Sequence, residues 1–291
     1  MIEQIQNDFQ EIINKYTFED NPFKHLIEYA TLPAGKLFRP QLVYALAHDL
    51  GAINSDHKLL AAAIEVHHAY SLVHDDLPAM DNDDWRRGKE SHHKKFGQWK
   101  AILTGDALIA LSFEILTHMQ SEHTLHITNL FASMVGQRGL ILGQYLDLSH
   151  ENQTFDKLCH LHNLKTGNLI SFSLLGSLIL TKREGLKAQI NQLGQSIGLI
   201  FQLIDDLSEL NEELDQHEED INAFLNFDES TVTKRVLIED ETIKHILKDQ
   251  NLKHLSEIYH NYKIKMLSGL KVANYQKHSI DIEQIKTNLL N

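Results

Sequence analysis

The sequence holds one cysteine, Cys159, and four prolines, at positions 22, 33, 40 and 78. A single thiol excludes a disulfide framework within the chain and a cysteine-rich zinc site, and it suits a reducing compartment. Glycine is thin in the last third, where only Gly269 follows Gly198. Such sparse punctuation permits long helices and disfavours a sheet protein with many turns. Alternating strand patterns, internal repeats and low-complexity linkers are missing as well. No run reaches the roughly 18 apolar residues of a membrane span. The longest candidate, LISFSLLGSLIL at 169–180, reads as a buried helix. The opening MIEQIQNDFQEII lacks the basic start and apolar run of a secretory leader, so a cytoplasmic location is expected. Positive charge is also short. With 27 Lys and Arg against 40 Asp and Glu, the formal charge is −13, which argues against a nucleic-acid binder with its basic footprint.

What is present is apolar residues at helical spacing. The chain has 291 residues, of which 42% are hydrophobic, enough for a sizeable core. Leu60, Ala63, Ile64, His67, His68 and Ser71 fall on one helical stripe, and Leu103, Ala107, Leu108, Leu111 and Ile115 on another. The expectation is an all-α protein, one domain over 1–291, with about ten or more helices. The 19 histidines are scattered and are expected mostly at the surface. Cys159, His160 and His162 lie close together but lack a fourth ligand and the usual spacing, so no zinc is expected there.

Two acidic segments carry the candidate chemistry. In FQLIDDLSEL, Asp205 and Glu209 are four apart and share a helix face, with Asp206 about 100° away. Like carboxylates at that spacing repel by about 0.2–0.5 kcal/mol. Acids on an otherwise apolar helix call for a partner, and magnesium takes one or two carboxylates plus water and phosphate oxygens. The other segment is HHAYSLVHDDLPAMDNDDWRRGKESHH, residues 67–93. Asp75 and Asp81 are six apart, about 240° on an ideal helix, so they meet only if the helix breaks. Pro78 supplies a cause for a break. Arg86 and Arg87 follow at once, and their forked donors suit phosphate oxygens. Taken alone, the stretch fits a metal–diphosphate site, a polar loop after a helix, or arginines that merely neutralise aspartates. Lys36 and Arg39, in AGKLFRPQL, form a weaker second anion patch.

Taken together, GKLFRP, HHAYSLVHDDLPAMDNDDWRRGK, ILTGDALIALSFEIL, GLILGQYLDL, LKTGNLI and FQLIDDLSE resemble the trans-isoprenyl diphosphate synthases, most closely the bacterial farnesyl type. The resemblance covers positions 35 to 210. It implies a helical bundle around a deep central cavity, normally a homodimer, with the two acidic segments facing each other at the cavity mouth. It implies that Asp75, Asp76 and Asp81, with Asp205, Asp206 and Glu209, hold about three magnesium ions on an allylic diphosphate. Asp75 and Asp81 would be direct ligands, and Arg86 and Lys165 would help hold the diphosphate. Isopentenyl diphosphate would be held by Lys36, Arg39, His68 and Arg87, with Phe201 against its hydrocarbon. Lys165, Thr166 and Gln202 would stand near the developing allylic cation. Tyr70 and Ser71, just before Asp75, would set product length, and the Tyr70 ring with the Pro78–Ala79 insertion resembles the fifteen-carbon arrangement. The diphosphate released would take the final proton.

The resemblance has a gap. The family places a Gly-Lys pair after the second acidic segment and a further lysine motif beyond it. Here the first position falls near Glu219, in DQHEED, and the second region reads NFDEST. Residues 205 to 220 hold nine acids and no Lys or Arg. The usual basic C-terminal tail is not recognisable in KTNLLN either. An active enzyme with a substituted closing loop, a weak synthase or one of altered specificity such as a geranylgeranyl synthase, and a non-catalytic diphosphate-binding subunit are the readings this leaves.

Overall fold

The computed structural model describes residues 1–149, 154–211, 214, 216–270 and 280–290. These residues are overwhelmingly helical, as the sparse glycine and proline imply. The chain divides into two compact units. One comprises Met1–Asn129 with Ile179–Thr181, and the other Leu130–Leu178 with Lys182–Asn291.

In the first unit the helices are α1 (Ile2–Tyr16), α2 (Lys24–Thr31), α3 (Phe38–Asp49), α4 (Ser55–Asp75), α5 (His92–Phe96) and α6 (Gln98–Thr117). The long α4 packs against α1, α2, α3 and α6. Its sequence is small and apolar on nearly every face, with Leu60 through Ile64 and Val66 all buried, as befits a helix enclosed by others. Asn54 caps its start, accepting from the backbone N–H of Asp56 at 3.0 Å, while His57 closes the reciprocal half of the box.

One element escapes the periodicity reading. Two short strands, β1 (Trp85–Arg86) and β2 (Lys89–Glu90), pair antiparallel, with Arg86 opposite Lys89. Arg87 and Gly88 form the two-residue turn with φ of 54° and 76°, the pattern of a hairpin turn needing two left-handed residues. Strands of two residues are too short to show alternation, so only the Gly of RRGK hinted at this turn. Tyr29 of α2 anchors the hairpin. Its hydroxyl donates to the Glu90 carbonyl at 2.8 Å, and the Lys89 ammonium sits 4.1 Å from the centre of its ring.

The chain passes to the second unit within α7 (Thr124–Val135). There follow α8 (Leu140–Leu148), α9 (Phe155–His162), a π turn (Asn163–Gly167), α10 (Asn168–Leu180), α11 (Lys187–Glu209), α12 (Gln216–Ile221), α13 (Ala223–Asn226), α14 (Glu229–Asp249), α15 (Lys253–Ser268) and α16 (Ile282–Leu290). Within the second unit, α11 packs against α9, the π turn, α13, α14 and α15. Two glycines allow close approach around the π turn. A Cβ on Gly198 of α11 would meet the Gly167 Cα at 2.4 Å, and one on Gly143 of α8 would meet the Lys165 backbone nitrogen at 2.4 Å.

Candidate active site

In the first unit the helix break falls where the aspartates need it. The last residue of α4 is Asp75, and Asp76 caps it. Leu77 and Met80 close a turn, N–H to carbonyl 2.8 Å, with Pro78 second in it, a position its fixed φ favours. The Asp81 N–H then donates to the Asp75 carbonyl at 2.9 Å. Two residues that an unbroken helix would hold on different faces are thereby joined through the backbone. Asp76 has a different lot. It is 2% exposed, and its carboxylate accepts from Arg86 Nε at 2.7 Å and pairs with Arg86 Nη2 at 2.5 Å. Arg86 Nη2 also reaches Asp83 at 2.6 Å. Burial raises the Asp76 pKa, and the Arg86 bond opposes that rise. Asp76 and Arg86 thus form a bracket under the turn, while Asp75 and Asp81 are only part-buried.

The hairpin tip delivers Arg87 to the GKLFRP segment. Its guanidinium lies against Gly35, where an added Cβ would come within 2.6 Å of Nη1. The charges of Arg87 and Arg39 both reach Glu65 and His68 on α4. Burial, followed by those arginine charges, holds His68 well below the usual imidazole range, so it is neutral. Glu65 is 5% exposed, and burial raises its pKa against the pull of the two arginines. Lys36, exposed, follows Gly35 directly in the chain, and Arg39 and Arg87 are basic groups whose charges reach the neutral His68 imidazole. On the same helix Tyr70 is buried and touches two imidazoles edge-on, His67 at 4.5 Å and His74 at 5.5 Å between ring centres. Burial pushes its phenol up to about 12. The Ser71 hydroxyl turns back to the His68 carbonyl at 3.0 Å.

In the second unit the π turn carries Lys165 and Thr166. Single π turns of this kind widen a helix locally and often mark functional sites. Lys165 Nζ donates to Asp147 of α8 at 2.6 Å. The Thr166 hydroxyl donates to Gln202 Oε1 at 3.0 Å, and Gln202 Nε2 donates to Asp206 Oδ1 at 3.3 Å. Asp206 is 3% exposed, with His162 Nε2 at 3.4 Å and the Ala223 N–H at 3.0 Å on its other oxygen. Like Asp76, it is held from within, whereas Asp205 is exposed. Phe201 stacks on Tyr262 at 5.1 Å and 19°.

Burial, then the charges of Asp206, Asp205 and Glu218, push Glu209 up to about 8. Crowded carboxylates of this kind are relieved by a divalent cation. Among the described residues no three His, Cys, Asp or Glu side chains converge into a metal cage. Magnesium on a diphosphate needs no such cage, since it draws one or two carboxylates from protein and the rest from substrate and water. Each unit taken by itself offers a carboxylate pair of that kind, Asp75 and Asp81 in the first and Asp205 and Glu209 in the second. Three contributors escaped the sequence reading. Asp147 stands in the quoted GLILGQYLDL, where only its isolation among leucines hinted at a buried partner. Glu65 and Asn222 offered no local signal. Of the lysine-free stretch, positions 212, 213 and 215 lie outside the described residues. Among the described ones, Asp228 caps α14, accepting from the Thr231 N–H at 3.1 Å.

Comparison with known proteins gives a consistent picture. The polyprenyl synthetase family model matches residues 20–260. A farnesyl diphosphate synthase of Micrococcus luteus is 35% identical over 255 residues, 86% of each chain. Among solved structures, a geranyltransferase from Legionella pneumophila superposes with TM-score 0.78 at 30% identity, covering 89% of this chain and 93% of its own. A geranyltransferase from Helicobacter pylori, complexed with magnesium and isoprenyl diphosphate, gives TM-score 0.71 at 27% identity over 88% and 97%.

Proposed function

The chain belongs to the polyprenyl synthetase family, and from that membership we propose that it condenses isopentenyl diphosphate with dimethylallyl or geranyl diphosphate to give farnesyl diphosphate. The observation that carries this reading is the turn and hairpin of residues 75–90. It joins Asp75 to Asp81 by a 2.9 Å backbone bond and then delivers Arg87 to Gly35 in the GKLFRP patch. One short segment thus presents carboxylates for a metal and a forked cation for phosphate.

In the reaction the allylic C–O bond breaks first, separating an allylic cation from diphosphate, and the double bond of isopentenyl diphosphate then attacks that cation to form the new C–C bond. The diphosphate released accepts the proton then lost from the condensed cation. Magnesium ions, held by Asp75 and Asp81 or by Asp205 and Glu209, would neutralise the negative charge that builds on the leaving diphosphate. The chain's own groups do the rest. Asp76 and Asp206, buried and hydrogen-bonded, hold the two acidic segments in shape. Lys36, Arg39 and Arg87 bind the isopentenyl diphosphate, and neutral His68 offers a hydrogen bond without adding charge. Arg86 and Lys165 would donate to diphosphate oxygens, each oriented by a buried aspartate, Asp76 or Asp147. The hydroxyl of Thr166 and the amide of Gln202 place dipoles that stabilise the developing cation, and Phe201 packs on the isopentenyl group. We further propose a homodimer, a cytoplasmic location, and Tyr70 with Ser71 as the limit on chain length. No described helix is long and apolar enough to cross a membrane.

The test uses purified protein, Mg2+ and labelled isopentenyl diphosphate with each allylic substrate, and separates products by length. Fifteen-carbon product is expected, and Tyr70→Ala is expected to lengthen it. Predominant twenty-carbon product would instead make it a geranylgeranyl synthase. Magnesium-dependent diphosphate binding without any product would make it a non-catalytic binder.

A further inference from the structure

The segment after Glu209 lacks the lysines that the family resemblance leads one to expect, yet it holds a group wired directly into the acidic segment. Asn222 is 0% exposed. Its Nδ2 donates to the Asp206 backbone carbonyl at 2.7 Å and reaches Glu209 Oε2 at 3.4 Å. Its Oδ1 accepts from the Phe224 N–H at 3.1 Å and so caps α13. The next N–H, that of Ala223, donates to Asp206 Oδ2 at 3.0 Å. The two ends of one amide therefore do separate jobs. The oxygen shapes the corner between α12 and α13, and the nitrogen ties that corner to the end of α11.

We propose that Asn222 is a positioning residue for the second acidic segment, orienting Glu209, and through the Ala223 N–H also Asp206, for a magnesium–diphosphate ligand. A lysine at this place would cancel carboxylate charge. The neutral amide orients the same carboxylate oxygens and adds no positive charge to compete with the cation. A hydrogen bond to a buried carboxylate is short-ranged and directional, so its loss lets Glu209 turn away from the ligand geometry. The inference rests on the reading that Glu209 serves magnesium.

Two substitutions separate the two jobs. Asn222→Asp and Asn222→Ser each keep an oxygen able to cap α13, and each removes the N–H donor to Asp206 and Glu209. Mn2+ would be titrated into the full chain in the presence of inorganic diphosphate, with free Mn2+ read by electron paramagnetic resonance. Metal-free thermal unfolding checks that each variant is folded. The expected result is an Mn2+ dissociation constant raised about tenfold in Asn222→Ser, in line with loss of one hydrogen bond to a charged group. In steady state the magnesium requirement rises while KM for isopentenyl diphosphate stays within about twofold, since that substrate's basic patch is untouched. A merely structural role would move both together or neither. Folded variants that bind Mn2+ as tightly as wild type overturn the inference alone. A wild type that binds no Mn2+ with diphosphate overturns the functional reading and the inference with it.

Discussion

At the scale of single residues, the acids sort into two kinds. Asp76 and Asp206 are buried and hydrogen-bonded to internal donors, whereas Asp75, Asp81 and Glu209 are part-buried and Asp205 is exposed, and these four are the proposed metal ligands. Glu209 gives this division a pH signature. Burial and neighbouring carboxylates raise it to about 8, so at neutral pH the metal-free folded protein binds a proton there that the unfolded chain does not. Between the ordinary carboxylate range and pH 8, folding stability from this group therefore falls as pH rises. The thermal midpoint of metal-free wild type is expected to drop more than that of Glu209→Gln between pH 5.5 and 8, as scanning calorimetry would record. Parallel pH profiles would show that Glu209 is not perturbed. The candidate acids and cations were legible in sequence because charge on an apolar helix, and arginines beside aspartates, are local patterns. Their partners were not. Lys165 and Asp147 are 18 positions apart, and Asn222 is 16 from Asp206. Only packing brings such pairs together.

At the scale of elements, sequence reading succeeded where periodicity is long and failed where it is short. The helices follow from sparse glycine and proline, and Pro78 foretold the break that joins Asp81 to Asp75. The β1–β2 hairpin and the π turn did not announce themselves. Each is a local departure of a few residues, and each carries a proposed diphosphate-binding side chain, Arg87 in one and Lys165 in the other. The π turn depends on its contact with α11. Gly198→Ala would drive a methyl to 2.4 Å from the Gly167 Cα, backbone against backbone, where nothing flexible can yield. Overpacking of this kind costs about 1–3 kcal/mol. Chemical denaturation should show that loss, and kcat should fall more than KM for isopentenyl diphosphate, because the displaced residues are Lys165 and Thr166. Unaltered stability and turnover would mean that the close approach is unimportant.

At the scale of the whole molecule, each of the two compact units carries one acidic segment with its own supporting polar network. All-α architecture was legible from sparse glycine and proline and from apolar residues at helical spacing, and family membership from a handful of motifs. The division of the chain into units was not, since no linker or composition shift marks 129–130 or 178–182. Exposed apolar side chains remain on α6, where Trp99 is 65%, Ile102 45% and Leu103 43% exposed. A patch of this kind suits a protein–protein contact. Light scattering is expected to return twice the chain mass, and a single-chain mass would exclude the proposed homodimer.

A chain without the usual lysines after its second acidic segment is expected still to transfer prenyl groups with magnesium. The most direct measurement is the yield of labelled farnesyl diphosphate from geranyl diphosphate and labelled isopentenyl diphosphate, before chelation, after chelation and after magnesium is restored. Fifteen-carbon product that disappears with the chelator and returns with magnesium is predicted. No labelled product at any magnesium concentration would contradict it.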